Sequence, residues 1–243
     1  MLINLLPDFL AVLGAADPEA AYHEYFERHR AILTAYWENY VLEPSGPHFE
    51  EVIRATVNAQ RDDLHALLAH TDVVALAQHA EERVQRLLEP DVAFDIVIMV
   101  GVGAANAGEL VVNGRGIAFV CLEHFTGVAN PDTQGLGLDP ELIPLWLAHE
   151  ITHVIRHRSR GSGSEMRSVI ANACRYYPYR ETGRHSTLRE LLVNEGLAVQ
   201  VSRAVSPGHA AWEYFGFARR QYSRIREIEP ILHRAASGDF ERS

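Results

Sequence analysis

Residues 142–155 read LIPLWLAHEITHVI, and their only titratable side chains belong to His149, Glu150 and His153. A helix that is apolar nearly all round its axis is typical of the centre of a fold. We therefore predict a buried helix that runs to about Arg158. Because ionisable groups are rarely buried without a partner, the three side chains need one, and a metal ion is one such partner.

These three side chains have the spacing H-E-x-x-H, which suits a zinc ion. Residues i and i+4 of a helix lie on one face about 6 Å apart, so His149 and His153 can bind one Zn²⁺ at about 2.0–2.1 Å. Glu150 can reach a water molecule bound to the ion, and zinc lowers the pKa of that water to about 7. That water can attack a carbonyl carbon when the carboxylate takes its proton. The alternative is a pair of hydrogen-bonded core histidines beside an ion-paired glutamate.

A catalytic zinc needs a third protein ligand. His157 lies one turn, about 6 Å, beyond the second histidine, so we expect it to miss the ion. The better candidate is Glu195, whose carboxylate interrupts the apolar stripe of a helix predicted over 187–205. Thr187 and Glu190 form a capping-box pattern at the start of this helix. The alternative for Glu195 is a buried salt bridge with an arginine such as Arg156 or Arg175.

Three helical segments come first in the chain. Apolar residues recur at helical spacing over residues 18–42 and again over 49–69. A third segment is capped by Thr71 or Asp72 and ends at Pro90. The first third of the chain is therefore predicted to be helical.

Residues 92–124 are rich in β-branched side chains, which predicts strands. A buried strand is followed by two apolar runs on either side of Asn113-Gly114, which is a strong hairpin signal. Helices, a small mostly antiparallel sheet and helices again predict an α+β fold in which helix dominates. We expect an N-terminal helical region over 1–90 and a metal-binding region over 91–243, unless the two form one continuous domain.

Composition and charge narrow the class of protein. The 243 residues carry a net charge of −10, which argues against binding to nucleic acids or anionic membranes. Two cysteines do not make a disulfide framework and are typical of a reducing compartment. No apolar run approaches the roughly 20 residues that span a bilayer, and the N-terminal apolar stretch lacks the basic residue of an export signal. We expect a cytoplasmic protein that binds neither nucleic acid nor membrane, with an oligomeric state that the sequence leaves open.

The segments HEITH and LLVNEGLA together resemble the gluzincin metallopeptidases. More narrowly, LAHEITHV with TLRELLVNEGLA is similar to a bacterial family of predicted Zn-dependent proteases with an EGLA glutamate helix. The resemblance covers about residues 92–205 and implies a zincin-like region, with the small sheet packed on the HExxH helix and the glutamate helix. It implies one Zn²⁺ ion held by His149, His153 and Glu195, with Glu150 as the catalytic base. The outer strand of the sheet would bind extended substrate backbone.

Two features depart from the gluzincin pattern. Thermolysin-like enzymes have an aspartate four residues after the ligand glutamate, where this chain has Val199, so the partner of a ligand histidine is unassigned. The group that stabilises the transition state has no motif, and six residues qualify by type: Tyr176, Tyr177, Tyr179, His185, His209 and Tyr214. Glu109 is a candidate to bind a peptide amino terminus, as in gluzincin aminopeptidases.

We therefore predict a zinc metallopeptidase that hydrolyses a peptide or protein substrate with a water activated by Glu150. A second hypothesis is hydrolysis of an amide in a non-peptide substrate, which would use the same site. A third is a non-catalytic, metal-stabilised binding protein. The glycines of residues 101–108 do not predict a phosphate-binding loop, because they lack its lysine and its spacing. Cys121 lies in a strand pattern and is predicted to be a core residue.

Overall fold

The computed structural model describes residues 1–133, 135–164, 167 and 186–238. Helix predominates in these residues, as expected: α1 (Leu6–Leu13), α2 (Pro18–Arg28), α3 (Arg30–Tyr36), α4 (Phe49–Asn58), α5 (Asp62–His70), α6 (Val73–Leu88), α7 (Ile143–Arg158), α8 (Leu188–Val205) and α9 (Arg219–Ala236). One small sheet is formed by β1 (Leu2–Asn4), β2 (Phe94–Met99), β3 (Ala107–Val112) and β4 (Arg115–Cys121). The fold is therefore α+β and helix-dominant. Among the described helices, none has the length and apolar character that crossing a membrane requires.

The sheet is mixed, with the strand order β1-β2-β4-β3. Strand β2 is parallel to both β1 and β4, and β3 is antiparallel to β4. The prediction of a mostly antiparallel sheet is therefore wrong. The hairpin itself is confirmed, because Asn113 and Gly114 have φ angles of 50° and 73°, the left-handed values that a tight two-residue turn requires. The error arose because the second strand of the hairpin pairs with β2, and because residues 2–4 add a parallel strand too short to show a pattern.

The segment predicted as one helix over residues 18–42 divides into α2, α3 and a π-helical turn, Trp37–Val41. Trp37 is fully buried, and its Nε1 donates to the Tyr22 hydroxyl at 3.2 Å, which ties the turn to α2. A π-turn widens the helix by one residue and changes the direction of the side chains that follow it. As a result, Tyr40 lies against strand β3.

Helix α7 contains the H-E-x-x-H motif and lies on the sheet, with α6 and α8 packed beside it. Most of its side chains are buried, as its apolar sequence predicted. It lies close to β4 at Gly116, where an added Cβ would lie 2.3 Å from Val154 Cγ1. The glycine therefore allows the helix to lie directly on the strand.

One hydrophobic cluster contains buried side chains from both sides of residue 90, from Leu5 in the N-terminal segment to Tyr214 beyond α8. The sheet lies in this cluster, and every residue of β2 is buried. Cys121, at the end of β4, is also fully buried, as the strand pattern predicted. The division into 1–90 and 91–243 stays a prediction.

Candidate metal centre

The two histidines of the motif lie on one face of α7, as their spacing requires. The side chains of His149 and His153 are only 9% and 4% exposed. Their ring centroids are 4.7 Å apart and the ring planes are nearly perpendicular, at 80°. Neither Nδ1 atom makes a hydrogen bond within the described residues. Both Nε2 atoms face Glu195, so the rings are oriented towards a common point.

Helix α8 supplies the third group and is fastened to α7 at both ends. At its start, Thr187 caps the helix by accepting from the Glu190 amide at 3.1 Å, as the sequence predicted. The Glu190 carboxylate does not complete a capping box; it accepts from Arg156 of α7 at 2.5 Å. Farther along α8, the buried Ser202 hydroxyl donates to the Leu145 carbonyl of α7 at 3.0 Å. These contacts fix the register of the two helices, and therefore the position of the residues between them.

Glu195 lies midway between these contacts and reaches both histidines. Its Oε2 lies 3.2 Å from His149 Nε2, and its Oε1 lies 3.6 Å from His153 Nε2. The alternative partner Arg156 is paired with Glu190 instead, and Arg175 lies outside the described residues. The two helices therefore bring together the three residues predicted as metal ligands.

The prediction that Glu195 lies in the middle of the buried face of α8 is wrong. The buried face of α8 consists of Glu190, Asn194, Ala198, Val199, Ser202 and Val205. Glu195 lies beside that face with its side chain 57% exposed, and Leu191 and Leu192 are exposed as well. The hydrophobic stripe was therefore placed about one residue out of phase. Glu195 reaches the histidines from the rim of the buried face.

The three side chains lie close enough together to hold a metal ion. One ligand atom from each of them can be chosen so that all lie within 4.8 Å of one another. Ligand atoms bound to a tetrahedral zinc at about 2.05 Å lie roughly 3.3 Å apart. The nitrogen–oxygen separations of 3.2 and 3.6 Å are close to that value. Two imidazoles and a carboxylate form a donor set that can hold a divalent cation.

Glu150 shares a pocket of about 220 Å³ with the three potential ligands. It is only 6% exposed. Burial raises the pKa of its carboxyl group well above the usual range, and the neighbouring Glu109 carboxyl raises it further. The other described residues around this pocket are Tyr40, Ala107, Gly108, Glu109, His157, Ser186, Glu190, Leu191 and Asn194. A carboxyl group that readily holds a proton therefore lies beside the candidate metal centre.

His157 is separate from the group of potential ligands, in agreement with its position one turn farther along α7. Its ring stacks on that of His153, with centroids 6.3 Å apart and an angle of 15°. Its Nδ1 lies 3.3 Å from the Ser164 hydroxyl, which donates to Glu190 at 2.8 Å. Burial lowers the pKa of His157 to about 4, so the ring is neutral at pH 7. This chain of contacts connects His157 of α7 with Glu190 of α8.

Of the six candidates for a transition-state donor, the structure describes only His209 and Tyr214. Tyr176, Tyr177, Tyr179 and His185 lie outside the described residues. The Tyr214 hydroxyl donates to the Ser206 carbonyl at 2.7 Å, in the turn after α8, and it also accepts from the His209 amide at 3.3 Å. Neither His209 nor Tyr214 is among the described residues that line the pocket.

Tyr40 and Asn194 are among the pocket residues that the sequence did not predict. Tyr40 comes from the N-terminal third, which the resemblance does not cover, and no motif connects it with α7. Asn194 immediately precedes Glu195, and its Oδ1 is buried without a hydrogen bond to the described residues. Only the position of Asn194 beside a candidate ligand could have drawn attention to it.

No family model, curated protein or solved structure matches this chain. The geometry of these residues is therefore the basis for proposing a function.

Proposed function

We propose that this protein is a zinc-dependent hydrolase of peptide bonds, with His149, His153 and Glu195 as the metal ligands and Glu150 as the catalytic base. The observation that supports the proposal is the convergence of the three potential ligands beside a buried carboxyl group in one pocket. Two nitrogens and one oxygen form the ligand set of zinc peptidases, which leave the fourth position for water.

Zinc, when bound, would supply Lewis acidity and lower the pKa of a water molecule in the pocket to about 7. Glu150 would accept the proton of that water and hold it within the buried pocket. The burial of Glu150 beside the three potential ligands suits this task, because the acid must keep the proton until the amine leaves. It would then deliver the proton to the nitrogen of the leaving amine.

The variant Glu150→Gln tests this assignment, because the amide keeps the shape of the side chain but cannot accept the proton. We expect zinc content, measured by elemental analysis, to stay the same. Hydrolysis of short peptides should fall by about 10²–10⁴-fold or more. The exposed Glu229→Gln on α9 is the matched control and should keep full activity.

Full peptide hydrolysis by Glu150→Gln would refute the proposed role of Glu150. If the wild type binds zinc and hydroxamate inhibitors but cleaves no peptide, screening non-peptide amides would distinguish the second hypothesis. A bound ion that no hydroxamate reaches would favour the third hypothesis, a non-catalytic, metal-stabilised binding protein.

A further inference from the structure

Strand β3 forms one edge of the sheet, and one of its residues already has a partner on the outer side. In an antiparallel pair, alternate residues direct their N–H and C=O groups away from the neighbouring strand. Glu109, opposite Ala118 of β4, is such a residue. Its N–H donates to the Tyr40 hydroxyl at 3.0 Å, and the same hydroxyl donates to its carbonyl oxygen at 3.0 Å. A single tyrosine thus occupies both backbone groups that an added strand would use at this position.

The ring of Tyr40 is held firmly in this place. It stacks on Tyr36 with ring centroids 6.1 Å apart, and it meets the ring of Phe119 edge to face at 5.1 Å. Gly108 makes the close approach possible, because an added Cβ there would lie 2.4 Å from the Tyr40 hydroxyl oxygen. Tyr40 cannot move aside without losing two hydrogen bonds and this ring packing.

Tyr40 lies where a polypeptide that passed through the pocket would pair with β3. Ala107, Gly108 and Glu109 line the same pocket as Glu150, and Tyr40 lies at the Glu109 end of this stretch. An extended polypeptide that passed through the pocket along β3 would need the backbone groups of Glu109. The expectation that the outer strand binds extended substrate backbone is therefore not met at Glu109.

We propose that Tyr40 is a specificity-determining residue that limits this pocket to short peptides or to the end of a polypeptide chain. The middle of an extended chain is excluded because Tyr40 occupies the edge of β3 at Glu109. That such peptides are substrates rests on the proposed peptide hydrolysis. The closure of the strand edge rests on the hydrogen bonds alone, so the two can be tested separately.

The test compares a linear peptide of about a dozen alanine, serine and leucine residues with a backbone-cyclised peptide of the same composition, which has no ends. Binding to the zinc-loaded protein is measured by isothermal titration calorimetry, with every protein also carrying Glu150→Gln to prevent turnover. We expect Tyr40→Ala to bind the cyclic peptide about tenfold more tightly than the protein with Tyr40 does, because two backbone groups become available. Affinity for the linear peptide should change by less than about threefold. Equal affinity of the Tyr40 protein for the two peptides would overturn the inference.

Tyr40→Phe tests the hydrogen bonds without removing the ring, so it guards against a folding defect. We expect hydrogen exchange of the Glu109 amide, measured by NMR, to become about tenfold faster in this variant. Tyr25→Phe is the matched control, because the Tyr25 hydroxyl is buried without a hydrogen bond to the described residues. Unchanged protection of the Glu109 amide in Tyr40→Phe would also overturn the inference. A wild type that cleaves no peptide would refute the proposed function but not the role of Tyr40. That role is tested by peptide binding and by hydrogen exchange.

Discussion

Replacing Gly116 with alanine should push helix α7 away from strand β4. The new Cβ would lie 2.3 Å from Val154 Cγ1 and 2.7 Å from Arg158 Cδ, both on α7. Carbon atoms in contact lie about 3.5–4.0 Å apart, so one of the two elements must move by roughly 1 Å. Val154 is only 2% exposed, and close-packed interiors leave little room for a side chain to turn. We therefore expect the helix itself to be displaced.

Overpacking of this kind costs about 1–3 kcal/mol of the free energy of unfolding. For a chain of this size, each kcal/mol lowers the melting temperature by about 2–4 °C, so the expected decrease is about 2–12 °C. Urea denaturation gives the free energy, and calorimetry gives the melting temperature. Zinc affinity should fall as well, because α7 carries two of the proposed ligands and a metal site tolerates displacements of only about 0.5 Å.

Two further variants make this prediction specific. Gly196→Ala introduces the same methyl group within α8, where no described atom lies within 4 Å of the new Cβ, and should stabilise the helix by up to about 1 kcal/mol. Val154→Ala removes the atom that Gly116→Ala strikes, so the double variant should lose less stability than the sum of the single variants, by at least about 0.5 kcal/mol. Additive costs, or a Gly116→Ala protein as stable as the wild type, would show that α7 does not lie on β4 as described.

Two other predictions concern the metal and pH. Zinc at about 100 times its dissociation constant should stabilise the wild type by about 2.7 kcal/mol, whereas a 100-fold loss of affinity in Glu195→Gln would leave only about 0.4 kcal/mol. Melting temperatures with and without zinc measure this difference, and equal shifts in the two proteins would exclude Glu195 as a ligand. Burial lowers the pKa of His124 from 6.5 to about 4, so the unfolded chain takes up a proton that the folded protein does not as pH falls through this range. Stability present above pH 6.5 should therefore decrease by up to about 3 kcal/mol by pH 4. His124→Gln should lose this contribution to the pH dependence of stability. If urea denaturation of this variant depended on pH as in the wild type, His124 would not be the group responsible.

Patterns that depend on neighbours along the chain were predicted well. The buried helix α7, the turn at Asn113-Gly114 and the cap at Thr187 all follow from local spacing and residue type. Asp72 is the cap of α6, accepting from the Ala75 amide at 2.9 Å, and was one of two residues proposed for that place. These features are local, because each depends on residues within a few positions of one another.

Patterns that depend on distant partners were predicted less well. The pairing of β4 with β2 and the addition of β1 made the sheet mixed, and the apolar residues of these strands do not specify their neighbours. The burial of α8 was placed out of phase because Leu191 and Leu192, although apolar, are exposed. Burial of one side chain depends on what packs against it, and the residue's own polarity does not decide that.

The sequence by itself determined that two imidazoles share one face of a buried helix, because a helical repeat fixes the spacing of residues one turn apart. Only the tertiary structure decided which distant groups meet them. The contacts of Arg156 and Ser202 set the register of α8, and so bring Glu195 to within 3.2 Å of His149. The π-helical turn brings Tyr40 to the edge of β3, 69 residues from its partner Glu109. No local pattern encodes contacts across such separations, because they form only when the core that holds both segments is complete.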